Sequence, residues 1–246
     1  MYRSGHPDSP PPASGLLKRR ALQIHRGAAR AAVLGVNDGL VSTLCIVLAV
    51  AAATDSAKSV LIAGLAGAIA GAISMSAGEW ISIKSQVELF KGVLEDLEHL
   101  LKENRGLLTS QLQANFERNG LDKQTSKLAA KGIARNDEHL LSEYARDVMG
   151  INPNELGSPW TAAASSFLLF TAGAIVALAP WFFTGGNTAA ILSITFTSIG
   201  GLAVGGYVSN SSGSNVAKGA IRQLLIIILA SVVTYGVGYW FGVAVG

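Results

Sequence analysis

The chain is 246 residues long, half of them hydrophobic and 14% charged, with 19 Lys and Arg against 16 Asp and Glu and a mean hydropathy of +0.40. Soluble domains carry about 25% charged residues, so this composition excludes a soluble globular protein and points to an integral membrane protein. The single cysteine, Cys45, excludes a disulfide framework within the chain, and the net charge of +3 reads as a topology signal and not as a nucleic-acid footprint.

Residues 1–17 hold four of the seven prolines and no apolar run long enough for a secretory signal, so they read as a disordered tail. Lys18 to Arg30 is a basic, helix-compatible flank that lies at the lipid surface and fixes orientation. Because about 20 apolar residues cross a bilayer, the hydropathy predicts five helical spans, at 33–53, 60–82, 160–183, 188–209 and 220–245. The cations test that count. Six precede span 1, one (Lys58) lies between spans 1 and 2, ten run from Lys84 to Arg146, and two (Lys218, Arg222) lie between spans 4 and 5. With a cytoplasmic N-terminus and an outside C-terminus, 18 of 19 fall on the cytoplasmic side, which four or six spans would not give.

The polar insert, 84–157, has apolar residues at helical spacing: Leu89, Val93, Leu97, Leu100 and Leu101, then Leu107, Leu108, Leu112 and Phe116, then Leu128, Ile133, Leu140, Leu141, Tyr144 and Val148. Asn119-Gly120 is a stop signal and Asp122 an N-cap. The expected architecture is therefore all-α: a tail (1–17), the flank and spans 1–2 (18–83), a cytoplasmic bundle of three or four amphipathic helices (84–157), and spans 3–5 (158–246). No breaker other than glycine interrupts Val60 to Glu103, which predicts one helix roughly 65 Å long. Glycines in spans 2, 4 and 5 read as helix-packing sites, and Tyr235, Tyr239, Trp240 and Trp181 as an interfacial aromatic belt.

Two acids, Asp38 and Glu79, fall inside the spans. A charge at the centre of a span costs roughly 2.5–3.5 kcal/mol on insertion scales, so such a residue is a functional candidate. Met75 and Glu79 stand at i and i+4, on one face of span 2. A soft thioether with hard carboxylates suits Fe²⁺, Mn²⁺ or Co²⁺ better than Mg²⁺ or Ca²⁺. A second candidate set lies in the insert: Glu95, Glu98 and His99 on one helix, His139 and Glu143 on another. Carboxylate and imidazole from two helices is the logic of bundle metal sites, although solvated helix faces with Lys91, Lys102, Lys131 and Arg135 give the same pattern.

At GVNDGLVST (35–43), AGAISMSAGEW (70–80), SPW (158–160) and VTYGVGYWFG (233–242) the chain resembles the vacuolar iron transporter family over residues 25–246. The resemblance implies a homodimer exporting Fe²⁺ or Mn²⁺ from the cytosol in exchange for protons, with metal as substrate and no prosthetic group. It implies that Asp38 and Met75 line the translocation path and that Glu95 and Glu98 belong to a metal-gathering set. The family's next glutamate pair falls near Gly106 and Thr109, where this chain has no acid, and Lys131-Gly132-Ile133 stands where an acid and methionines are usual. The gathering set is thus depleted, which leaves most of the selection to the membrane residues.

The expected function is a proton-coupled exporter of divalent transition metal and not an enzyme, in a bacterial plasma membrane ahead of a vacuolar one. Its partners are metal ions, protons, membrane lipid and a second copy, with no nucleic acid. The alternative is a membrane-anchored metal-binding or sensing protein without transport.

Overall fold

The computed structural model describes residues 27–150 and 157–245. The proline-rich tail, the basic flank up to Arg26 and the segment around Pro153 lie outside the described residues. Among the described residues the regular elements are helices: α1 (Gly27–Ala53), α2 (Ala57–Arg118), α3 (Lys123–Ile133), α4 (Asp137–Glu143), α5 (Pro159–Leu178), α6 (Gly186–Ser211) and α7 (Val216–Val245). Of these, α1, α2, α5, α6 and α7 are long and apolar enough to cross a membrane. They match the five spans expected from hydropathy, except that α5 ends at Leu178 and the rest of the third span continues as a 3₁₀ turn, Ala179–Phe182. Two compact units emerge, one from the residues up to Trp80 and from Pro159 onward, the other from Ile81–Ser158.

In the first unit α1 is the central helix, and small residues let the others approach it closely. Lipid tails are as apolar as leucine, so helices in a bilayer associate through close packing and polar contacts. A Cβ on Gly39 would lie 2.1 Å from the Phe170 carbonyl oxygen, and one on Gly35 2.9 Å from that of Ser166, so α5 touches the α1 backbone itself. On α7, Gly238 and Gly242 meet Ala49 and Ala53 in the same way. Asn37 near the start of α1 meets Gln223 near the start of α7, where Gln223 Nε2 donates to Asn37 Oδ1. Contacts that advance together along both helices make α1 and α7 parallel, and the Gly35–Ser166 and Gly39–Phe170 contacts do the same for α5. Gly205 of α6 and Gly219 of α7 face each other backbone to backbone. The first part of α2 packs more loosely, through side chains: Gly64 meets Val47 and Leu178, Gly67 meets Ile46, and Gly71 meets the Phe170 ring.

The core of this unit contains Leu44, Val47, Leu48, Phe170, Leu178 and Ile227. Trp181 belongs to it as well, 4% exposed, in a 3₁₀ turn that follows α5. It is therefore a packing residue and not part of an exposed belt, whereas Tyr235, Tyr239 and Trp240 are exposed.

The second unit starts within α2. The helical backbone departs at Asn104 (φ −149°, ψ 66°), and the Asn104 side-chain oxygen accepts from the Leu107 amide at 3.0 Å, capping the helix that follows. After Arg118, Gly120 adopts φ +98° to turn the chain. Asp122 then caps α3 by accepting from the Gln124 and Thr125 amides at 2.9 and 3.0 Å. Hydrogen bonds from Thr125 hold the Asp122 carboxyl below its ordinary value. Asn136 caps α4, which runs into a single π-helical turn, Tyr144–Val148. Leu97, Leu101, Leu108, Leu112, Leu140 and Tyr144 make the core of this unit. Leu89 and Leu128, expected on apolar faces, are exposed.

Candidate metal centre

Among the described residues, Asp38 lies on a sector of α1 that is left open. Its neighbours are both taken: Asn37 by Gln223 of α7, Gly39 by the Phe170 backbone of α5. Asp38 itself is exposed. Helical geometry turns successive residues by about 100°, so a carboxylate between two packed neighbours points outward from the group of helices. Ser42 Oγ donates to the Asp38 carbonyl oxygen at 2.6 Å, the usual tie of a serine to its own helix.

Met75 is half-buried against the core of the same unit. It stands one turn after Gly71, whose open side is filled by the Phe170 ring. Phe170 thus touches both motif helices, with its backbone against Gly39 and its ring against Gly71. Glu79, a further turn along α2, is half-buried. Its Oε2 is buried without a hydrogen-bond partner, and a buried polar atom without a partner is costly. Around it, Ser76 Oγ donates to the Ala163 carbonyl at 3.1 Å, and the Trp80 and Trp160 rings meet edge to face with centroids 5.7 Å apart. These contacts tie this end of the α2 span to the start of α5.

The helical-insert residues behave differently. Glu95, Glu98, His99 and His139 are exposed, while Leu97 and Leu101 between them turn inward. Glu143 is half-buried and forms an ion pair with Arg146, which also binds Asp147 at 3.0 Å. Hydrogen bonding and charge from Asp147, with Glu143 adding to them, raise the Arg146 guanidinium. Among the described residues no group of three His, Cys, Asp or Glu side chains stands close enough to hold a metal ion. The described acids and imidazoles of the insert are exposed or paired with cations.

Sequence reasoning missed two hydrogen bonds of the apolar unit, Asn37 with Gln223 and Ser76 with the Ala163 carbonyl, and one ring contact, Trp80 with Trp160. A signal existed for the first, because Gln223 opens an otherwise apolar run and a side-chain amide in a span seeks a partner on another helix.

A family model described as the VIT family matches residues 29–239. A protein of Acanthamoeba castellanii called vacuolar iron transporter is 32% identical over 214 residues, covering 87% of this chain and 78% of its own length. Vacuolar iron transporter homolog 1 of Oryza sativa subsp. japonica is 33% identical, covering 87% of this chain and 73% of its own. Vacuolar iron transporter homolog 2 of Arabidopsis thaliana is 31% identical, covering 84% and 81%.

Proposed function

The chain belongs to the VIT family, and on that premise we propose that it is a metal transporter, exporting Fe²⁺ or Mn²⁺ from the cytosol in exchange for protons. The observation that carries the reading is the placement of acid. The apolar windows of five helices hold two carboxylates, Asp38 and Glu79, each one turn or less from a contact that locks its helix. A carboxylate that binds a divalent cation when ionised and a proton when the cation leaves exchanges one for the other. Met75, one turn from Glu79, adds a soft thioether that favours Fe²⁺ and Mn²⁺ over Mg²⁺ and Ca²⁺.

The working unit is a homodimer. Asp38 points away from its own chain, and an outward carboxylate in hydrocarbon costs about 2.5–3.5 kcal/mol. A second copy laid over that sector removes the acid from lipid and encloses the site. Ala66, Ala70 and Ser74 supply a small-residue stripe, spaced four apart and exposed, along which two α2 helices meet. The reading puts the N-terminus in the cytosol, the C-terminus outside and the Ile81–Ser158 unit on the cytosolic side of a bacterial plasma membrane, and the cation distribution supports that orientation.

The full-length protein in liposomes, tested against a panel of divalent metals with and without a pH gradient, decides between this reading and a non-transporting metal sensor. The proposal expects Fe²⁺ or Mn²⁺ uptake that a proton gradient of opposite direction accelerates, with little Mg²⁺ or Ca²⁺ uptake. Metal binding without any uptake favours the sensor.

A further inference from the structure

We propose that Lys218 and Arg222, in the first two turns of α7, bind the headgroup of an anionic phospholipid whose acyl chain lies along Ile221, Leu225 and Leu229. These side chains, with Ile226, make one continuous open face of α7. Its composition has two ends. Both cations sit at the start of the helix, and the remaining lining is aliphatic and exposed, with Leu225 61% and Leu229 66% accessible. From Lys218 to Leu229 the helix rises about 16 Å, close to one leaflet of a hydrocarbon core ~30 Å thick. This face therefore spans one leaflet from charge to mid-plane.

Among the described residues no carboxylate pairs with either cation. No Asp or Glu follows Glu155 in the sequence. The ion pairs among the described residues join Lys84 to Glu88, Arg105 to Asp137, and Arg146 to Glu143 and Asp147, without either cation of α7. At the helix start the Lys218 amide donates to Asn215 Oδ1 at 3.1 Å and the Gly219 amide to the Asn215 carbonyl at 3.2 Å, and the proposal assigns the anion contact to the side chains. Arg222 also borders a cleft of about 140 Å³ between α1, α6 and α7, beside the Asn37–Gln223 pair. There a headgroup hydroxyl finds amide partners.

A second copy of the chain fits this face poorly. A two-fold axis along the membrane normal would set Lys218 and Arg222 of both copies at one depth, like charge against like. Of the five spans, α7 also buries the smallest share of its apolar window within the chain, 17%, so lipid has access to it.

Native mass spectrometry of the full-length protein, titrated with phosphatidylglycerol or phosphatidylcholine, reads the preference directly. Each cation near the surface contributes about fivefold to anionic-lipid binding. The double variant Lys218→Gln with Arg222→Gln should therefore lose about 25-fold in phosphatidylglycerol affinity and keep its phosphatidylcholine affinity. If that variant fails to insert, Lys218→Gln alone decides, with about a fivefold loss. Three results would overturn the proposal: equal affinity for the two lipids in the unsubstituted protein, displacement of phosphatidylglycerol by equimolar inorganic phosphate, or conversion of dimer to monomer in the double variant. The second would mean an ion site and the third a protein interface.

Discussion

Two glycines state the packing argument at the scale of single residues. Gly39 carries the Phe170 carbonyl oxygen where a Cβ would stand, and backbone cannot move aside as a side-chain tip can. Gly236, in α7, has nothing within 4 Å of its Cβ position. Gly39→Ala should destabilise the protein by at least the 1–3 kcal/mol typical of overpacking. Gly236→Ala should be neutral or stabilising by up to about 1 kcal/mol, because alanine is the better helix former. Thermal unfolding in detergent reads both, and equal effects would contradict the close α1–α5 approach. At this scale Asp38, Met75 and Glu79 stand out in the sequence as candidates, since an acid in an apolar run is rare and i, i+4 spacing is simple arithmetic. The sequence did not announce the role of Phe170, one apolar residue among many. Nor did it separate Trp181, which is buried, from Trp240, which is exposed.

Among whole elements, hydropathy made the five spans legible because their windows contain few charges. The break in α2 was legible only in part. Asn104, two residues before Gly106, is a cap signal, but it follows a long helical pattern and precedes another, so periodicity runs across it. The caps of the shorter helices were clearer. The folded-state pKa of Asp122 is lowered, chiefly by its side-chain hydrogen bond with Thr125. Its contribution to stability is therefore full above the unfolded-state value of an aspartate, roughly 3.9, and is lost as pH falls through the lower folded-state value. Hydrogen exchange at the Gln124 and Thr125 amides should accelerate, relative to unstructured peptide, as pH drops through that window. Asp122→Asn, which keeps a capping oxygen but does not titrate, should abolish the change. Persistence of the pH effect in that variant would remove Asp122 as its cause.

In the first unit, the packing of α5 and α7 against α1 decides which residues of the candidate site stay open. The sequence could not reveal that Asn37 and Gly39 are both occupied while Asp38 between them is open, because that depends on where α5 and α7 land. The dimer reading predicts that Ser74→Cys, in a Cys45→Ser background, forms a disulfide-linked dimer in membranes under mild oxidation. Val232→Cys on the exposed face of α7 should not, and cross-linking at Val232 alone would relocate the interface. The insert has a lesser share in the account. Neutralising Glu95, Glu98, His99 and His139 together should raise the metal concentration for half-maximal uptake and leave the maximal rate unchanged. A collapse of the maximal rate would place an essential ligand there. The central claim remains the exchange of metal for proton at the acid of α1. Its most direct test compares Asp38→Ala with the unsubstituted protein in proteoliposomes, measuring Fe²⁺ and Mn²⁺ uptake against a pH gradient in samples matched for folding and oligomeric state. The account predicts that the variant loses proton-coupled uptake of both metals, and undiminished uptake by the variant would contradict it.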